Sequence, residues 1–223
     1  MTAYLYLHGF ASGPRSAKAQ YLRDRFAAQG QTLQVLDLNQ GDFTHLTLSR
    51  QLAQAQAALS PSEPTVVIGS SFGGLTAAWL AERVPQVVGV IGLAPAFHFL
   101  AYWQQQLSPD QRQQWQTQGR MHVYHYGEQR TLPLDYGFLT DLAQYDEACL
   151  QRPVPTRLLH GRHDAVIPLQ AAQDYQRDRP WVELVPLDSD HSLGNVLPQL
   201  WQAIAQFCNL DGGGEGVGNS PTP

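Results

Sequence analysis

The sequence predicts an α/β fold in which a parallel sheet carries helices on both faces. Apolar runs of strand length alternate with segments of helical pattern along most of the 223 residues. This alternation is typical of βα units that pair in parallel, and the chain is long enough to bury one sizeable core. A second observation agrees: the apolar run 65–68 leads through a glycine-flanked serine into the helical segment 75–82.

Composition argues against several classes of partner. The formal net charge is −5 and no basic run occurs, which disfavours nucleic acid and anionic membrane surfaces as partners. No apolar segment approaches the roughly 20 residues of a membrane-spanning helix. Because residues 4–7 already have the pattern of a core strand, we expect no signal peptide and a cytoplasmic protein. Cys149 and Cys208 are the only cysteines, and we expect both to be reduced thiols.

The first part of the chain predicts two βα units ahead of the serine. A strand ends at Leu7, and Ser12-Gly13-Pro14 supplies the cap of a helix that closes at Gly30. A second strand over 33–38 leads into a helix that Pro61 ends, and its apolar residues recur at helical spacing. Each helix therefore presents one apolar face to the sheet.

An insertion interrupts the second part of the chain. After a buried strand over 87–93, residues 97–136 depart from the βα rhythm, with a helix pair followed by a hairpin around Gly127. Since it follows a strand of the parallel sheet, the insertion is predicted to lie above the carboxyl ends of the strands as a cap or lid. The regular pattern resumes with a helix over 137–149.

The remaining elements complete one predicted domain over residues 1–210. A further strand and helix are followed by a last strand over 181–186 and a closing helix over 197–207. The segment 211–223, with its repeated glycines, is predicted to be a disordered tail.

The segment Gly69-Ser70-Ser71-Phe72-Gly73 has the spacing of a nucleophile elbow, and only Ser71 is in register with that motif. The turn is so tight that small residues are needed at both glycine positions. The preceding strand and the following helix are the context that the motif requires. We therefore predict that Ser71 is a nucleophile, the alternative being a glycine-rich turn without chemistry.

A serine hydroxyl needs a base, and the base needs an orienting acid. In folds with this elbow, the acid and then the histidine follow the serine along the chain. Asp164 comes just after the penultimate strand and His191 just after the last, so both should reach the same sheet edge as Ser71. We predict that His191 takes the proton of Ser71 and that Asp164 orients His191. Asp37, also near a strand end, is the fallback acid.

Other polar residues near these positions receive structural interpretations. Asp188 and Asp190 flank His191 too closely in sequence to bond its ring. His163 precedes the predicted acid and is expected to point elsewhere. His160 is interpreted as a satisfied residue at a strand end.

No metal and no cofactor are expected. His122 and His125 lie three apart on a presumed strand and hence on opposite faces, which is a poor arrangement for a shared metal. Neither cysteine lies in a Cys-x-x-Cys or other metal-binding spacing.

The oxygen that becomes negatively charged during acyl transfer needs backbone N–H donors. One is expected to be the amide of Phe72, the residue after the nucleophile. The other is expected to be the amide of Phe10, in the loop after the first strand. The alternative is that both phenylalanines serve packing alone.

The chain opens with two recognisable segments, Tyr-Leu-His-Gly-Phe (6–10) and Ser-Gly-Pro-Arg-Ser-Ala-Lys-Ala (12–19). They are followed in order by the elbow, by Ala-Pro-Ala at 94–96, and by the segments that contain Asp164 and His191. In this order they resemble the YqiA-type small esterases of the α/β-hydrolase superfamily, from residue 4 to about residue 207. The resemblance implies an α/β-hydrolase fold with a mostly parallel sheet of about six or seven strands. It also implies hydrolysis of acyl esters or thioesters, with Ser71, Asp164 and His191 in the family's triad positions. Residues 187–190 lack the glycines expected there, and residues 134–138 are more similar to acyl-ester and acyl-glucuronide esterases of the superfamily.

The leading hypothesis is a serine esterase or thioesterase acting on a small-molecule acyl substrate, with aromatic residues of the insertion lining an apolar pocket: Phe97, Trp103 and Tyr124. The alternative is that about half of the insertion's aromatic residues only pack in its core.

The second hypothesis is a carbon–carbon bond lyase or hydrolase of the menaquinone-biosynthesis type. Its anionic substrate would need arginines at the cap entrance, for which the candidates are Arg112, Arg120 and Arg130. A non-catalytic binding protein is the third, but such a protein would be expected to have lost a triad member. The oligomeric state is left open.

Overall fold

The computed structural model describes residues 2–210, so the predicted tail over 211–223 lies outside the described residues. This part of the chain contains the strands β1 (Ala3–Leu7), β2 (Leu33–Val35), β3 (Thr65–Ser70), β4 (Val87–Leu93), β5 (Arg120–His125), β6 (Arg130–Asp135), β7 (Thr156–Gly161) and β8 (Val182–Leu187). Six of them form one sheet in the order β2-β1-β3-β4-β7-β8, and every neighbouring pair is parallel. The predicted α/β-hydrolase fold is confirmed, with a strand number inside the expected range.

Helices cover both faces of this sheet. They are α1 (Ala17–Ala28), α2 (Leu48–Ala57), α3 (Phe72–Arg83), α4 (Phe99–Gln106), α5 (Pro109–Gln118), α6 (Gly137–Leu142), α7 (Leu169–Arg177) and α8 (Leu197–Cys208). On one face α1 meets α8, where the rings of Phe26 and Trp201 pack edge to face with centroids 5.4 Å apart. On the other face lie α2, α3 and α7, whose buried residues include Leu52, Leu80 and Ala171.

Local side-chain caps determine where three of the helices begin. Ser16 accepts the N–H of Ala19 at the start of α1, so this helix begins just after the position that Pro14 indicated. Thr47 caps α2 in the same way. Ser108 forms a capping box at α5, with proline in its first turn.

The strand register brings the functional loops to one edge of the sheet. Ser70, the last residue of β3, lies opposite Leu93 of β4. Gly161, the last residue of β7, lies opposite Leu187 of β8. Since parallel strands all point the same way, the segments after β3, β7 and β8 emerge together at the carboxyl edge.

The insertion after β4 contains α4, α5 and the antiparallel hairpin β5–β6, in agreement with the predicted helix pair and hairpin. Trp115 of α5 is 1% exposed and donates its indole N–H to Leu134 O of β6 at 3.0 Å, which ties the helix to the hairpin. The Asp135 N–H donates to Thr44 O at 2.9 Å and joins the hairpin to the main domain.

Two predicted elements are shorter than the sequence indicated. The second strand, predicted over 33–38, ends at Val35, because the Leu38 N–H donates to the ring of His8 instead of to a neighbouring strand. The helix predicted over 137–149 stops at Leu142, since Asp146 caps a separate 3₁₀ turn. The first ending depends on a contact between residues 30 apart in sequence, whereas the second depends on a cap two residues away, which the helical pattern alone did not indicate.

Among residues 2–210, no helix has the length and the apolar character needed to cross a membrane. Cys149 and Cys208 are both free thiols. Burial raises the pKa of Cys208 to about 12, so this thiol stays protonated at neutral pH.

The carboxyl group of Glu147 anchors the start of the insertion. Glu147 opens the 3₁₀ turn Glu147–Cys149, and its Oε1 accepts the N–H of His98 at 2.8 Å, just before α4. Its Oε2 is buried without a hydrogen-bond partner among the described residues. Burial raises the pKa of Glu147 from 4.5 to about 7, although the His98 hydrogen bond and the charge of Arg179 oppose the shift. The folded protein therefore binds the Glu147 proton more tightly than the unfolded protein does.

Folding stability is expected to fall as the pH rises from 4.5 to about 7, because the unfolded chain loses the Glu147 proton before the folded chain does. Below this window Glu147 is protonated in both states, so its contribution to stability is fully present and does not change with pH. Glu147→Gln should flatten this part of the curve when Tm is measured across the window. Glu63→Gln, at an exposed position, should leave the wild-type curve unchanged. Equal slopes in wild type and Glu147→Gln would contradict the assignment.

Candidate active site

Ser71 occupies the turn between β3 and α3 in a backbone conformation that few non-glycine residues adopt. Its φ is 52° and its ψ is −118°, and such conformations cost on the order of 1–3 kcal/mol. Hydrogen bonds hold it there: the Ser71 N–H donates to Leu93 O at 2.9 Å, and Ser71 O accepts the Ala96 N–H at 3.0 Å. A side chain at Gly69 or Gly73 would collide with neighbouring backbone, which explains the glycines of the motif.

The structure brings the three predicted side chains together at the carboxyl edge. His191 Nε2 lies 3.0 Å from Ser71 Oγ, and His191 Nδ1 lies 2.7 Å from Asp164 Oδ2. Because an ionised carboxylate only accepts hydrogen bonds, the proton between His191 and Asp164 belongs to Nδ1. The Nε2 lone pair therefore faces the serine hydroxyl, in the geometry needed to remove its proton.

Asp164 is a buried and fully hydrogen-bonded carboxylate. Its Oδ1 accepts the N–H groups of Val166 at 2.9 Å and Ile167 at 2.8 Å. Its Oδ2 lies between His191 and His160, whose Nε2 is 3.2 Å away. Burial alone would raise the pKa of Asp164, but the hydrogen bonds from His160, His191 and the Ile167 amide together hold it well below its usual range. Asp164 is therefore ionised at neutral pH.

His160 lies at the end of β7 and its Nε2 lies 2.9 Å from Ile167 O, but the interpretation of this residue as fully satisfied is wrong. Its side chain is 0% exposed, its Nδ1 has no hydrogen-bond partner among residues 2–210, and its Nε2 contacts the predicted acid. The available signal was the spacing of four residues between His160 and Asp164 across a strand-to-loop turn.

The amides of Phe10 and Phe72 lie on segments that flank Ser71. A Cβ at Gly9 would lie 3.2 Å from Ser71 Cβ and 3.9 Å from its Oγ, so the loop that carries Phe10 packs directly on the serine. Phe72 is the first residue of α3, where N–H groups have no partner within the helix. Within residues 2–210 neither amide donates a hydrogen bond to another residue.

The loop that carries His191 passes tightly against the end of β7. A side chain at Gly161 would collide with the carbonyl oxygens of Ser189 and Asp190. The His163 N–H donates to Ser189 O at 3.0 Å and fastens the two segments. The loop before His191 lacks glycine, and Gly161 provides the room from the opposite side.

The structure does not bring the other candidate acids to the His191 ring. The Asp37 carboxylate accepts a backbone N–H in the turn after β2. His163 points away from the site, as expected, and its Nε2 lies 2.8 Å from Asp188 Oδ1. Asp190 accepts the backbone N–H of its own loop. On β5, His125 is buried whereas His122 is exposed, so the two face opposite ways as predicted.

A cavity of about 660 Å³ lies between the insertion and the loop after β1. Phe10 and Ile167 form part of its wall, whereas Ser71, Asp164 and His191 do not. The link to the serine and the acid is through these two wall residues, because Phe10 follows the Gly9 that packs on Ser71 and Ile167 donates its N–H to Asp164. Most of its wall is aromatic or aliphatic: Phe99, Tyr102, Trp103, Leu107, Trp115, Met121, Val123, Tyr124, Tyr126 and Val166. Its polar lining is mainly glutamine, and no carboxylate of the described residues contributes to it.

Two of the three predicted substrate residues line this cavity, namely Trp103 and Tyr124. Phe97 does not, because it is 1% exposed and stacks on Tyr175 with ring centroids 3.9 Å apart and an interplanar angle of 7°. Since Phe97 follows the end of β4 closely, its ring enters the core of the main domain.

The six-stranded parallel sheet with a strained serine turn between β3 and α3 defines an α/β-hydrolase-fold protein. The chain belongs to the uncharacterised protein family UPF0227, whose sequence profile matches residues 3–208. This membership confirms the resemblance to YqiA-type proteins.

Solved structures from several organisms share the fold. The α/β hydrolase domain-containing protein 10 from mouse is 19% identical, with a TM-score of 0.73 over 93% of this chain and 89% of that chain. Est1E from Butyrivibrio proteoclasticus, solved with ferulic acid, is 16% identical, with a TM-score of 0.76 over 94% and 88%. The monoacylglycerol lipase of Paleococcus ferrophilus is 14% identical, with a TM-score of 0.73 over 92% of each chain. At these identities the likeness is one of fold.

Proposed function

We propose that this protein is a serine hydrolase that cleaves carboxylic esters or thioesters of apolar acyl groups. The observation that carries the proposal is the continuous hydrogen-bonded chain from Ser71 Oγ to His191 Nε2 at 3.0 Å and from His191 Nδ1 to Asp164 Oδ2 at 2.7 Å. A monoacylglycerol lipase and a protein solved with ferulic acid among the structures that share the fold are consistent with it. Retention of all three groups also disfavours a non-catalytic binding role.

In the proposed reaction the Ser71 oxygen attacks the acyl carbonyl carbon while His191 Nε2 takes the hydroxyl proton. The carbonyl electron pair moves onto its oxygen, which the amides of Phe10 and Phe72 stabilise. Collapse expels the alcohol or thiol, which receives the proton from His191, and leaves an ester on Ser71. Water then repeats the sequence: its proton goes to His191, the acyl–serine bond breaks, and Ser71 regains its proton.

The nature of the 660 Å³ cavity supports an apolar acyl group. Its volume is within the range of about 300–1,000 Å³ that small-molecule sites occupy. The ring of Phe10 lies 5.0 Å from that of Trp103 and 5.8 Å from that of Phe99, so aromatic surface begins at the oxyanion loop itself. We expect an acyl chain attached to Ser71 to extend over this surface.

The arginines that would favour an anionic lyase substrate do not form an unpaired cationic entrance. Of the three candidates, only Arg120 lines the cavity, and its Nε lies 2.7 Å from Asp135 Oδ1. Arg130 pairs with Glu128 at 3.4 Å. Arg112 lines a separate cleft. A neutral acyl substrate fits this charge distribution better than an anionic one.

Labelling with a fluorophosphonate probe, followed by mass mapping of the adduct, tests the proposal directly. The wild-type protein should be labelled at Ser71, and Ser71→Ala should not be labelled. Ser70→Ala is the matched control, since it removes the neighbouring serine and should retain the label. A folded wild-type protein that takes no label, or takes it elsewhere, would overturn the proposed function.

Trp103→Ala is expected to alter acyl-chain selectivity, because the indole forms cavity wall that a long chain reaches and a short chain does not. With para-nitrophenyl esters, kcat/KM should fall about tenfold for laurate and stay within about twofold for acetate. Trp181→Ala removes a half-buried indole that does not line the cavity, and it should change both esters equally. Equal losses for laurate and acetate in Trp103→Ala would place the acyl site elsewhere.

A further inference from the structure

His160 is in an unusual position for a buried histidine. It is the next-to-last residue of β7 and its side chain is 0% exposed. Its Nε2 lies 2.9 Å from Ile167 O and 3.2 Å from Asp164 Oδ2, whereas its Nδ1 is buried without a hydrogen-bond partner among the described residues. An apolar side chain would fill the core at this position without the free-energy cost of burying an unpaired polar atom.

The contacts of His160 define where its proton lies. A carbonyl oxygen only accepts hydrogen bonds, so the group facing Ile167 O must be an N–H. The same Nε2 lies 3.2 Å from Asp164 Oδ2, the oxygen that also accepts from His191, so the His160 N–H lies beside this carboxylate oxygen while it donates to Ile167 O. Two imidazole rings thus hold one carboxylate oxygen from different sides.

The two oxygens of Asp164 are held by different parts of the chain. Two amides of its own loop fix Oδ1, at Val166 and Ile167. Among residues 2–210, the polar partners of Oδ2 are His160 and His191, so without His160 the rotation of this oxygen would be limited by the His191 hydrogen bond. His160 also fastens Ile167 through its carbonyl, and Ile167 is part of the cavity wall.

We propose that His160 is a positioning residue: its Nε2–H, shared between Ile167 O and Asp164 Oδ2, fixes the carboxylate that orients His191 and aligns it with the cavity wall. The proposal rests on the proposed function, because it assigns His160 a role in the same reaction. His160 touches neither the substrate nor the reacting oxygen of Ser71.

A pair of amide variants isolates the Nε2–H. In His160→Gln the side-chain amide nitrogen can take the place of Nε2, whereas the shorter side chain of His160→Asn reaches only the place of Nδ1. His160→Asn should lower kcat about 10- to 100-fold with KM within about threefold, and His160→Gln should recover most of the loss. His163→Asn is the matched control on the same loop, since its exposed ring pairs with Asp188, and it should leave kcat unchanged.

Proton NMR supplies a readout that does not depend on turnover. The low-field resonance of the His191 Nδ1–H, identified by its loss in Asp164→Asn, should shift or broaden in His160→Asn and return towards the wild-type position in His160→Gln. A structural role alone would lower Tm and leave this resonance in place. If wild-type protein fails to label at Ser71, the proposed function fails, while the resonance still tests the positioning.

Several outcomes would overturn the proposal. One is a folded His160→Asn with wild-type kcat and an unchanged resonance. Another is a loss of kcat that His160→Gln shares in full. Failure of both variants to fold would show that β7 needs the ring for packing and not for its N–H.

Discussion

Replacing Ser71 by alanine is expected to lower ester turnover by about 10⁴-fold or more while the protein stays folded. The reason is that Ser71 Oγ, 3.0 Å from His191 Nε2, forms the acyl intermediate in the proposed reaction, and alanine has no oxygen to replace it. The residual rate should come from the two backbone amides and from substrate binding, which the substitution leaves in place. The measurement is kcat for a para-nitrophenyl ester, with circular dichroism and Tm to establish folding.

The strained backbone of Ser71 adds a second expectation for the same variant. Alanine has the same Cβ as serine and is subject to the same penalty at a φ of 52°, so stability should change little. Ser71→Gly relieves that strain and also removes the hydroxyl, so it should be equally inactive but more stable. Turnover in either variant within about tenfold of wild type would remove Ser71 from the mechanism.

Much of the site could be predicted because its parts are local or topological. The glycines around Ser71 form a short motif whose steric reason is visible in the sequence. The positions of Asp164 and His191 followed from the rule that parallel strands end at one edge. No side-chain contact had to be known for either prediction.

The rest depended on packing between distant segments. The place of His160 beside Asp164 arises because the 164–167 turn folds back over the end of β7, and this reversal has no periodic signature. Phe97 lies in the core because the chain turns directly after β4, so the register of the insertion decided which aromatic rings reach the cavity. The early end of β2 follows from a hydrogen bond between Leu38 and His8, 30 residues apart.

Asp164→Asn is expected to be nearly as damaging as the loss of the nucleophile, although it changes a single atom. The Asn oxygen should take the place of Oδ1, because the amides of Val166 and Ile167 require an acceptor there. Its NH₂ group then faces His191 Nδ1, so the ring must turn its lone pair to Nδ1 and carry its proton on Nε2. An Nε2–H cannot accept the proton of Ser71, and kcat should fall about 10³- to 10⁴-fold.

The matched comparison is Asp37→Asn, which makes the same chemical change in the turn after β2, away from the His191 ring. It should leave kcat within about twofold of wild type.

The pH dependence of stability separates the two variants further. Because the pKa of Asp164 is depressed, its carboxylate stabilises the folded state at neutral pH. This contribution is lost only as the pH falls well below the ordinary aspartate range. Asp164→Asn should therefore be less stable than wild type at neutral pH, and the difference should narrow in strong acid. A larger loss of kcat in Asp37→Asn than in Asp164→Asn would reassign the orienting acid.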